Sequence, residues 1–199
     1  MREETKERIE KHLEERKKQQ EQIAKGVIIV VLILITILVA RTIIIKINYP
    51  QKYSEYVEKY AKENNIEKEL IYAMIKAESH FKEEAISNKE AIGLMQILES
   101  TAQEVAEGLE IEVTKEEIIK PEINIALGTK YLSKLIEKYG DTKVAIAAYN
   151  AGIGNVDSWI EKGIIKKDGS NIENIPFKET NNYVRKILRD YEIYKKICK

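Results

Sequence analysis

The sequence predicts an all-α protein in which one membrane-spanning helix precedes a helical domain. Two patterns indicate this fold class: a long apolar run lies near the N-terminus, and apolar residues recur at helical spacing after about residue 53, with no series of β-strand patterns. Of the 199 residues, 44% are hydrophobic and 33% are charged. This composition supports one packed core with a well-solvated surface.

The overall composition excludes several classes of function. Lysine plus arginine equals aspartate plus glutamate at 33 each, so net charge gives no argument for a nucleic-acid partner. Cys198 is the single cysteine, which excludes a disulfide scaffold within the chain. With only His12 and His80 beside it, no cluster of metal ligands is expected. The sequence also lacks a glycine-rich phosphate loop, and we expect no cofactor.

Residues 1–25 form a charged arm in which acids and bases alternate. Good helix formers dominate this arm and glycine is absent from it. Ile9, Leu13 and Ile23 are too sparse for a sustained coiled-coil seam. We therefore predict a solvated helix or a disordered arm, with a partner-binding helix as the alternative.

Residues 26–45 are predicted to cross a membrane. The run "GVIIVVLILITILVA" continues through Arg41 into "TIII", which gives about 20 residues and about 30 Å of helix. Arg41 lies near the end, where its side chain can reach the interface. A cleaved signal peptide is disfavoured by the long charged segment before the run and by a poor cleavage site. A buried core helix is disfavoured because the run is apolar on all sides, and no cysteine follows it for lipid attachment.

Basic residues predict the orientation of this helix. Those close before the uninterrupted apolar run 26–40 are Lys6, Arg8, Lys11, Arg16, Lys17, Lys18 and Lys25, and those after that run are Arg41, Lys46, Lys52 and Lys59. The excess on the N-terminal side favours a cytoplasmic N-terminus. We expect a single-pass protein of the cytoplasmic membrane, with a short linker at 46–54 and the domain at 55–199 on the outer side.

The first helices of the domain are predicted from capping signals. A short amphipathic helix begins near residue 53. Asn64, with Glu67 three residues later, is predicted to cap the next helix. Ser100 or Thr101 is predicted to cap a third.

The later helices have clearer boundaries. Pro121 is expected to open a helix that ends at Gly140. Asp141 is expected to cap a helix that ends at Gly152, and the last helix is predicted at about 179–197.

Glu78 stands at the end of an apolar stripe. Ile71, Met74 and Ile75 precede it by seven, four and three residues, so a helix places all four side chains on one face. Burial would raise the pKa of this carboxyl and make it a candidate general acid. The alternative is a glutamate at a frayed helix end, held in solvent by Lys82. Spacing alone leaves both interpretations open.

Four further polar residues have both a structural and a functional interpretation. Gln96, inside "AIGLMQI", either ties down the fold or faces a polar ligand. In "AAYNAGIGN", Tyr149 could present its hydroxyl beside a glycine-lined surface, whereas Asn150 suits a helix end. Glu179 follows the irregular segment 163–177, and its position also suits the first turn of a helix.

Five segments in register carry a resemblance to a known family. They are "ESHF", "AISNKEAIGLMQI", "PEINIALGTKYL", "AAYNAG" and "IPFKETNNYV". Together they resemble the lytic transglycosylase domain of the soluble-lytic-transglycosylase type, a goose-type-lysozyme-like family, over about residues 55–195. The resemblance implies a lysozyme-like helical fold and cleavage of the glycan strands of peptidoglycan.

The resemblance also implies roles for individual residues. Glu78 matches the catalytic acid/base. Positions that line or shape the cleft near the cleaved bond match Ser87, Gln96, Tyr149, Asn150 and Glu179. The implied reaction cleaves the β-1,4 bond between N-acetylmuramic acid and N-acetylglucosamine, leaves a 1,6-anhydro end, and uses no metal or organic cofactor.

Two departures from the family pattern stand near the cleft. Glu90 occupies a position that is usually glycine, and Leu98 with Glu99 replaces a usual Met-Pro pair. Gly93 and Gly152 look structural. Two alternative functions remain: a scaffold of an envelope machine that binds glycan without cutting it, and a true lysozyme that uses water.

Overall fold

The computed structural model describes residues 2–109 and 112–198. The chain divides into two compact units, Met1–Pro50 and Gln51–Lys199. Within the described residues there is no β-sheet, and the β-pairing consists of isolated bridges from Ile92 to Ile86 and to Ile97. The all-α prediction is therefore confirmed.

The first unit is one continuous helix, α1 (Arg2–Asn48). It contains the charged arm and the apolar run, and it ends three residues into the segment predicted as a linker. The hydroxyl of Thr36 donates to the carbonyl of Leu32, and that of Thr42 donates to the carbonyl of Leu38, both at 2.9 Å. Both hydroxyl groups therefore have a hydrogen-bond acceptor within the helix itself. Among the described residues, α1 alone is long and apolar enough to cross a membrane.

The second unit consists of short and medium helices. Their bounds are α2 (Ser54–Glu63), α3 (Lys68–Glu78), α4 (Glu99–Glu107), α5 (Lys115–Ile118), α6 (Pro121–Tyr139), α7 (Thr142–Ala151), α8 (Ile153–Glu161) and α9 (Lys178–Ile197), with a 3₁₀ turn at Ile172–Asn174. Helix α3 packs mainly on α9, while α7 packs on α6, α8 and α9. The side chains of α3 from Leu70 to Ile75 are all buried, so this helix lies inside the core.

Polar contacts show that α3 and α9 run antiparallel. Near the middle of α9, Asp190 is fully buried and accepts a 2.7 Å hydrogen bond from the ammonium group of Lys76. Further along, the hydroxyl of Tyr191 donates to Glu67 at 2.6 Å. As the residue number rises along α9, the residue number of its partner on the α3 side falls. The start of α9 therefore lies beside the end of α3.

The turn at residues 92–97 is held by one buried amide. Asn124 of α6 accepts from the backbone N–H of Met95 at 2.7 Å and donates to the carbonyls of Ile92 and Ile118, both at 2.9 Å. Gly93 adopts φ +78°, and a Cβ there would lie 2.3 Å from the Asn124 amide nitrogen. Glycine at 93 is therefore required both by backbone conformation and by this close approach, as the sequence indicated.

The later helix boundaries agree with the sequence. Pro121 is the first residue of α6, and Gly140 ends it with φ +72°. Asp141 accepts hydrogen bonds from the backbone N–H groups two and three residues later, at 2.8 and 3.1 Å. Gly152 ends α7, and α9 begins one residue before the predicted start.

The predicted cap at Asn64 is wrong. Asn64 ends α2, where its amide donates to the carbonyl of Tyr60 at 2.9 Å. Glu67 instead precedes α3, and its carboxylate is bound by Tyr191 rather than by a backbone N–H of the helix. The amide of Asn64 therefore caps the end of α2 and not the start of α3.

The predicted cap at Ser100 or Thr101 is also wrong. Helix α4 already begins at Glu99, with Leu98 in the extended conformation before it. The bridge between Ile97 and Ile92 holds the chain extended up to this point. The helix can therefore start directly after Leu98, with an acidic residue in its first turn.

Candidate active site

Glu78 is the last residue of α3, as the apolar stripe predicted. Ile71, Met74 and Ile75 are fully buried. The alternative in which Lys82 holds Glu78 in solvent is wrong, because the helix ends at Glu78 and Lys82 lies in the following turn. Instead, the hydroxyl of Tyr183 donates a hydrogen bond to Oε1 of Glu78.

The surroundings of Glu78 favour its protonated form. Burial raises the pKa of this carboxyl to about 7. The hydrogen bond from Tyr183 and the positive charge of Lys186 act in the opposite direction and lower the pKa. The acid is therefore poised to hold its proton up to neutral pH and to form a stabilised carboxylate when that proton leaves.

A cleft of about 380 Å³ opens at Glu78. All six residues singled out from the sequence line it: Glu78, Ser87, Gln96, Tyr149, Asn150 and Glu179. The lining also includes Asn88, Lys89, Ala91 and Leu98, which sequence reasoning did not assign to a site. Residues from α3, the 87–98 segment, α7 and α9 thus converge on one cavity.

The hydrogen bonds of Ser87 and Gln96 show which of their atoms can meet a ligand. Ser87 Oγ accepts from the backbone N–H groups of Lys89 and Ala91, at 3.2 and 3.1 Å, so its O–H proton can be donated to a ligand. The amide nitrogen of Gln96 donates to the carbonyls of Ala85 and Gly93 at 2.8 and 2.9 Å. Gln96 therefore ties down the loop and leaves its oxygen as the acceptor for a ligand.

On the opposite wall, Tyr149 and Asn150 stand at the end of α7. The hydroxyl of Tyr149 donates to the Met95 carbonyl at 2.8 Å, so its proton is directed into the protein rather than toward an open surface as hypothesised. Burial raises the pKa of Tyr149 well above its usual value, and the charge of Glu78 adds to the effect. Asn150 Oδ1 accepts from the buried hydroxyl of Thr180 at 2.7 Å, which leaves the amide nitrogen as its donor to a ligand.

Glu179 lies in the exposed first turn of α9. Tyr183 follows it by four residues and therefore lies on the same side of the helix. The sequence analysis did not single out Tyr183, although this spacing from Glu179 was available as a signal. It also missed Lys186, which donates to the carbonyl of Ala77 at 3.3 Å.

Glu90, where the resemblance expects glycine, has the backbone conformation that favours glycine. Its φ is +61°, in the left-handed region. Its backbone N–H donates to the Ser87 carbonyl at 2.9 Å, which closes the turn beside the cleft. The turn shape is therefore kept even though the glycine is absent.

Among the described residues, no three histidine, cysteine, aspartate or glutamate side chains are grouped in a way that could hold a metal ion. The ionisable residues that line the cleft are Glu78, Glu179 and Lys89.

A family model described as the transglycosylase SLT domain matches residues 55–171 of this chain. The chain belongs to this family. The match covers α2 to the loop after α8 and includes every predicted site residue except Glu179.

Relatives of the SLT-domain chain agree with this assignment. A putative soluble lytic murein transglycosylase from Haemophilus influenzae is 36% identical over 157 residues, which are 77% of this chain and 26% of the relative. A membrane-bound lytic murein transglycosylase C from Haemophilus ducreyi is 36% identical over 117 residues, which are 53% of this chain and 32% of the relative. The SLT-domain chain thus spans about a quarter to a third of these relatives' lengths.

A solved structure confirms the fold class. An inactive glutamate-to-glutamine mutant of lytic transglycosylase Slt from Pseudomonas aeruginosa superposes with a TM-score of 0.72 at 33% identity. The similarity covers 77% of this chain and 25% of that one. The second unit of the SLT-domain chain is therefore a lysozyme-like helical domain, as the resemblance implied.

Proposed function

We propose that this chain is a membrane-anchored lytic transglycosylase that cleaves peptidoglycan glycan strands. The observation that carries the proposal is Glu78: a carboxyl at the end of a buried apolar helix, open to a cleft, with its pKa raised to about 7. A carboxylic acid in such surroundings can donate a proton at neutral pH.

In the first step, Glu78 gives its proton to the oxygen that links N-acetylmuramic acid to N-acetylglucosamine. The bond from C1 of the muramoyl residue to that oxygen breaks, and positive charge develops at C1. Tyr183 donates a hydrogen bond to the resulting carboxylate and keeps its proton, and the charge of Lys186 favours the same ionised state.

In the second step, the C6 hydroxyl of the muramoyl residue attacks C1, and its proton passes to the Glu78 carboxylate. This closes a 1,6-anhydro ring and restores the acid. Retaining and inverting glycosidases use two carboxyl groups, one of which serves as a nucleophile or activates water. Because the attacking hydroxyl belongs to the substrate itself, one acid is sufficient here, and no metal or organic cofactor takes part.

The remaining cleft residues are proposed to bind and orient the glycan. Ser87 and Asn150 offer donors, and Gln96 offers an acceptor, which together suit the hydroxyl and N-acetyl groups of a sugar. Tyr149 supports the wall through its bond to Met95. Glu179 stands exposed at the edge of the same cleft.

Helix α1 supports the proposed location. Residues 26–45 anchor the chain in the cytoplasmic membrane as a single pass, and the basic excess before them keeps the N-terminus inside. The domain at 55–199 then acts outside the cytoplasm, where peptidoglycan lies. One similar protein is named a membrane-bound lytic murein transglycosylase, which agrees with this placement. Nucleic acid is not a partner in this proposal, and proteins of the cell envelope are candidates for the arm.

The names of the relatives support the reaction. Lytic murein transglycosylases are among the matched proteins, and the Pseudomonas enzyme is described as inactive when a glutamate is changed to glutamine. These properties belong to those proteins, and their transfer to Glu78 is part of the proposal.

The test is digestion of purified peptidoglycan by the full-length chain in detergent micelles, with products identified by mass spectrometry. We expect anhydro-muropeptides, which are lighter by one water than the products of hydrolysis. Reducing-end products would make the protein a lysozyme that uses Glu78 with water. Binding of glycan strands without any product would favour the scaffold alternative and contradict the proposal.

A further inference from the structure

Lys186 contacts the turn of α3 that carries Glu78. Its ammonium group donates to the carbonyl of Ala77, the residue immediately before the acid, at 3.3 Å. Tyr183, three residues earlier on α9, binds the Glu78 carboxyl itself. Residues three apart lie on one face of a helix, so a single face of α9 holds both the backbone and the side chain at the end of α3.

The charge of Lys186 acts between two carboxyl groups. It attracts Glu78 and also Asp190, which lies one turn further along α9. Asp190 is fully buried and also binds the ammonium group of Lys76 and the guanidinium of Arg189, at 2.7 and 2.9 Å. The pKa of Lys186 is lowered, mainly by burial and further by the charges of Lys76 and Arg189, whereas the two carboxylates act in the opposite direction.

Other titratable groups around Glu78 come from α7, α9 and the neighbouring loops. Glu179 of α9 and Lys89 line the same cleft. Tyr149 faces it from α7 and Tyr183 from α9, and both are phenols whose pKa is raised well above the usual value. In the turn after α3, burial lowers the pKa of His80. The charges of Lys186, Lys76 and Lys82 lower it further, and Asp190 acts in the opposite direction. The positive charge of Lys186 acts on Glu78 and lowers its pKa.

We propose that Lys186 is a positioning residue for the acid: it clamps the carbonyl before Glu78 and, as a cation beside the carboxyl, stabilises the carboxylate that remains after proton transfer. This inference rests on the proposed function. Without this cation the carboxylate stage of the reaction costs more free energy, and the protonated acid persists to higher pH.

The test compares four single variants of the full-length chain in detergent micelles. Lys186→Met removes the charge and the clamp. Lys186→Gln removes the charge but provides an amide that can still donate a hydrogen bond. It replaces Lys186→Met in the comparison if Lys186→Met does not fold. Lys186→Arg keeps the charge. Arg185→Met removes one positive charge from an exposed position on the same helix and is the matched control.

Two measurements are made on each variant. The first is the pH dependence of peptidoglycan cleavage. The second is the titration of the Glu78 carboxyl by carbon-13 NMR after labelling of glutamate, assigned with Glu78→Gln and repeated in a His80→Gln background. The NMR arm needs no activity. It therefore tests Lys186 even if no product is formed, which would overturn the proposed function separately.

We expect the Glu78 titration, and the alkaline limb of activity, to move upward by about half a unit to one unit in Lys186→Met and Lys186→Gln. Lys186→Arg and Arg185→Met should retain the wild-type midpoint. An unchanged midpoint in the two neutral variants would overturn the proposal. An equal shift of the Glu78 midpoint in Arg185→Met would also overturn it. That result would show that the net charge of the protein, and not the position of Lys186, sets the midpoint.

Discussion

The hydroxyl of Tyr183 donates a hydrogen bond to the carboxyl of Glu78, and this contact joins the start of α9 to the end of α3. A hydrogen bond of this kind favours the ionised acid, whereas burial favours the neutral acid. Burial has the largest effect, and together with this hydrogen bond and the charge of Lys186 it leaves the pKa of Glu78 at about 7. A group that must first donate a proton and then accept one works best when its pKa lies near the operating pH.

Removal of this hydrogen bond should slow cleavage. In Tyr183→Phe the carboxylate loses a donor worth about 2 kcal/mol, so we expect cleavage to slow by about ten- to thirtyfold. Because the lost bond favoured the charged form, the alkaline limb of the pH profile should also move upward. Initial rates of muropeptide release across a pH series measure both effects.

Tyr191→Phe is the matched control for this prediction. Tyr191 lies on the same helix and donates to Glu67 at 2.6 Å in an exposed position away from the cleft. Its loss should leave the pH profile unchanged. If both phenylalanine variants behaved alike, the Tyr183 bond would have no special role in the chemistry.

Glu78 should make the domain less stable as pH rises. Its pKa is about 7 in the folded protein and 4.5 for an unperturbed glutamate, so between these pH values the folded state holds a proton that the unfolded state has lost. The unfolded state then binds fewer protons, and the free energy of unfolding falls as pH increases. Glutamine does not titrate, so Glu78→Gln should be more stable than wild type by about 3 kcal/mol at pH 8 and similar to it near pH 4.5.

Urea unfolding at several pH values, followed by the fluorescence of Trp159, measures this difference. Trp159 is the single tryptophan and is buried. Glu179→Gln, which changes an exposed acid of the same cleft, is the control and should track the wild type. A constant difference between Glu78→Gln and wild type at all pH values would contradict the raised pKa.

Gly93 should not tolerate a side chain. Its φ of +78° and the 2.3 Å approach of the Asn124 amide nitrogen to a new Cβ predict a loss of about 3 kcal/mol in the free energy of unfolding for Gly93→Ala. Gly154 in α8 has open space around it, so Gly154→Ala should be neutral or slightly stabilising. Urea unfolding measures the free energy of unfolding of both variants. Equal stabilities would show that Asn124 does not exclude a side chain at position 93.

Glu90 should gain stability from the glycine that the family pattern favours. Its φ of +61° is strained for a residue with a Cβ, and glycine relieves that strain at some cost in unfolded-state entropy. We expect Glu90→Gly to stabilise the domain by about 0.5 kcal/mol. Lys89→Gly, next to it, should destabilise by a similar amount, because Lys89 is not in the left-handed region. A loss of stability in Glu90→Gly would indicate that the glutamate side chain makes a compensating contact.

The sequence was most informative where the signal was local. The stripe of Ile71, Met74 and Ile75 placed Glu78 at the end of a buried helix, and Pro121 and Gly140 bounded α6. These features follow from helical periodicity and from backbone conformation, which neighbouring residues determine. Asn64 was assigned to the wrong helix because an amide can serve the end of one helix as well as the start of the next.

The sequence did not predict contacts between residues that are far apart along the chain. Tyr183 and Lys186 reach Glu78 and Ala77 only because α9 packs antiparallel to α3. The direction of the Tyr149 hydroxyl, toward Met95, likewise depends on how the 92–97 turn sits against α7. Tertiary packing determines these contacts. The spacing of Tyr183 from Glu179 could place both on one side of α9, but it could not show that Tyr183 reaches Glu78.

The most direct test of the proposed mechanism is the release of anhydro-muropeptides by full-length Glu78→Gln beside wild type, with folding of both checked by circular dichroism. We predict that the wild type releases these products and that the folded Glu78→Gln releases none, because glutamine has no proton to donate to the glycosidic oxygen. Cleavage by the folded Glu78→Gln at a rate near that of the wild type would contradict the assignment of Glu78 as the catalytic acid.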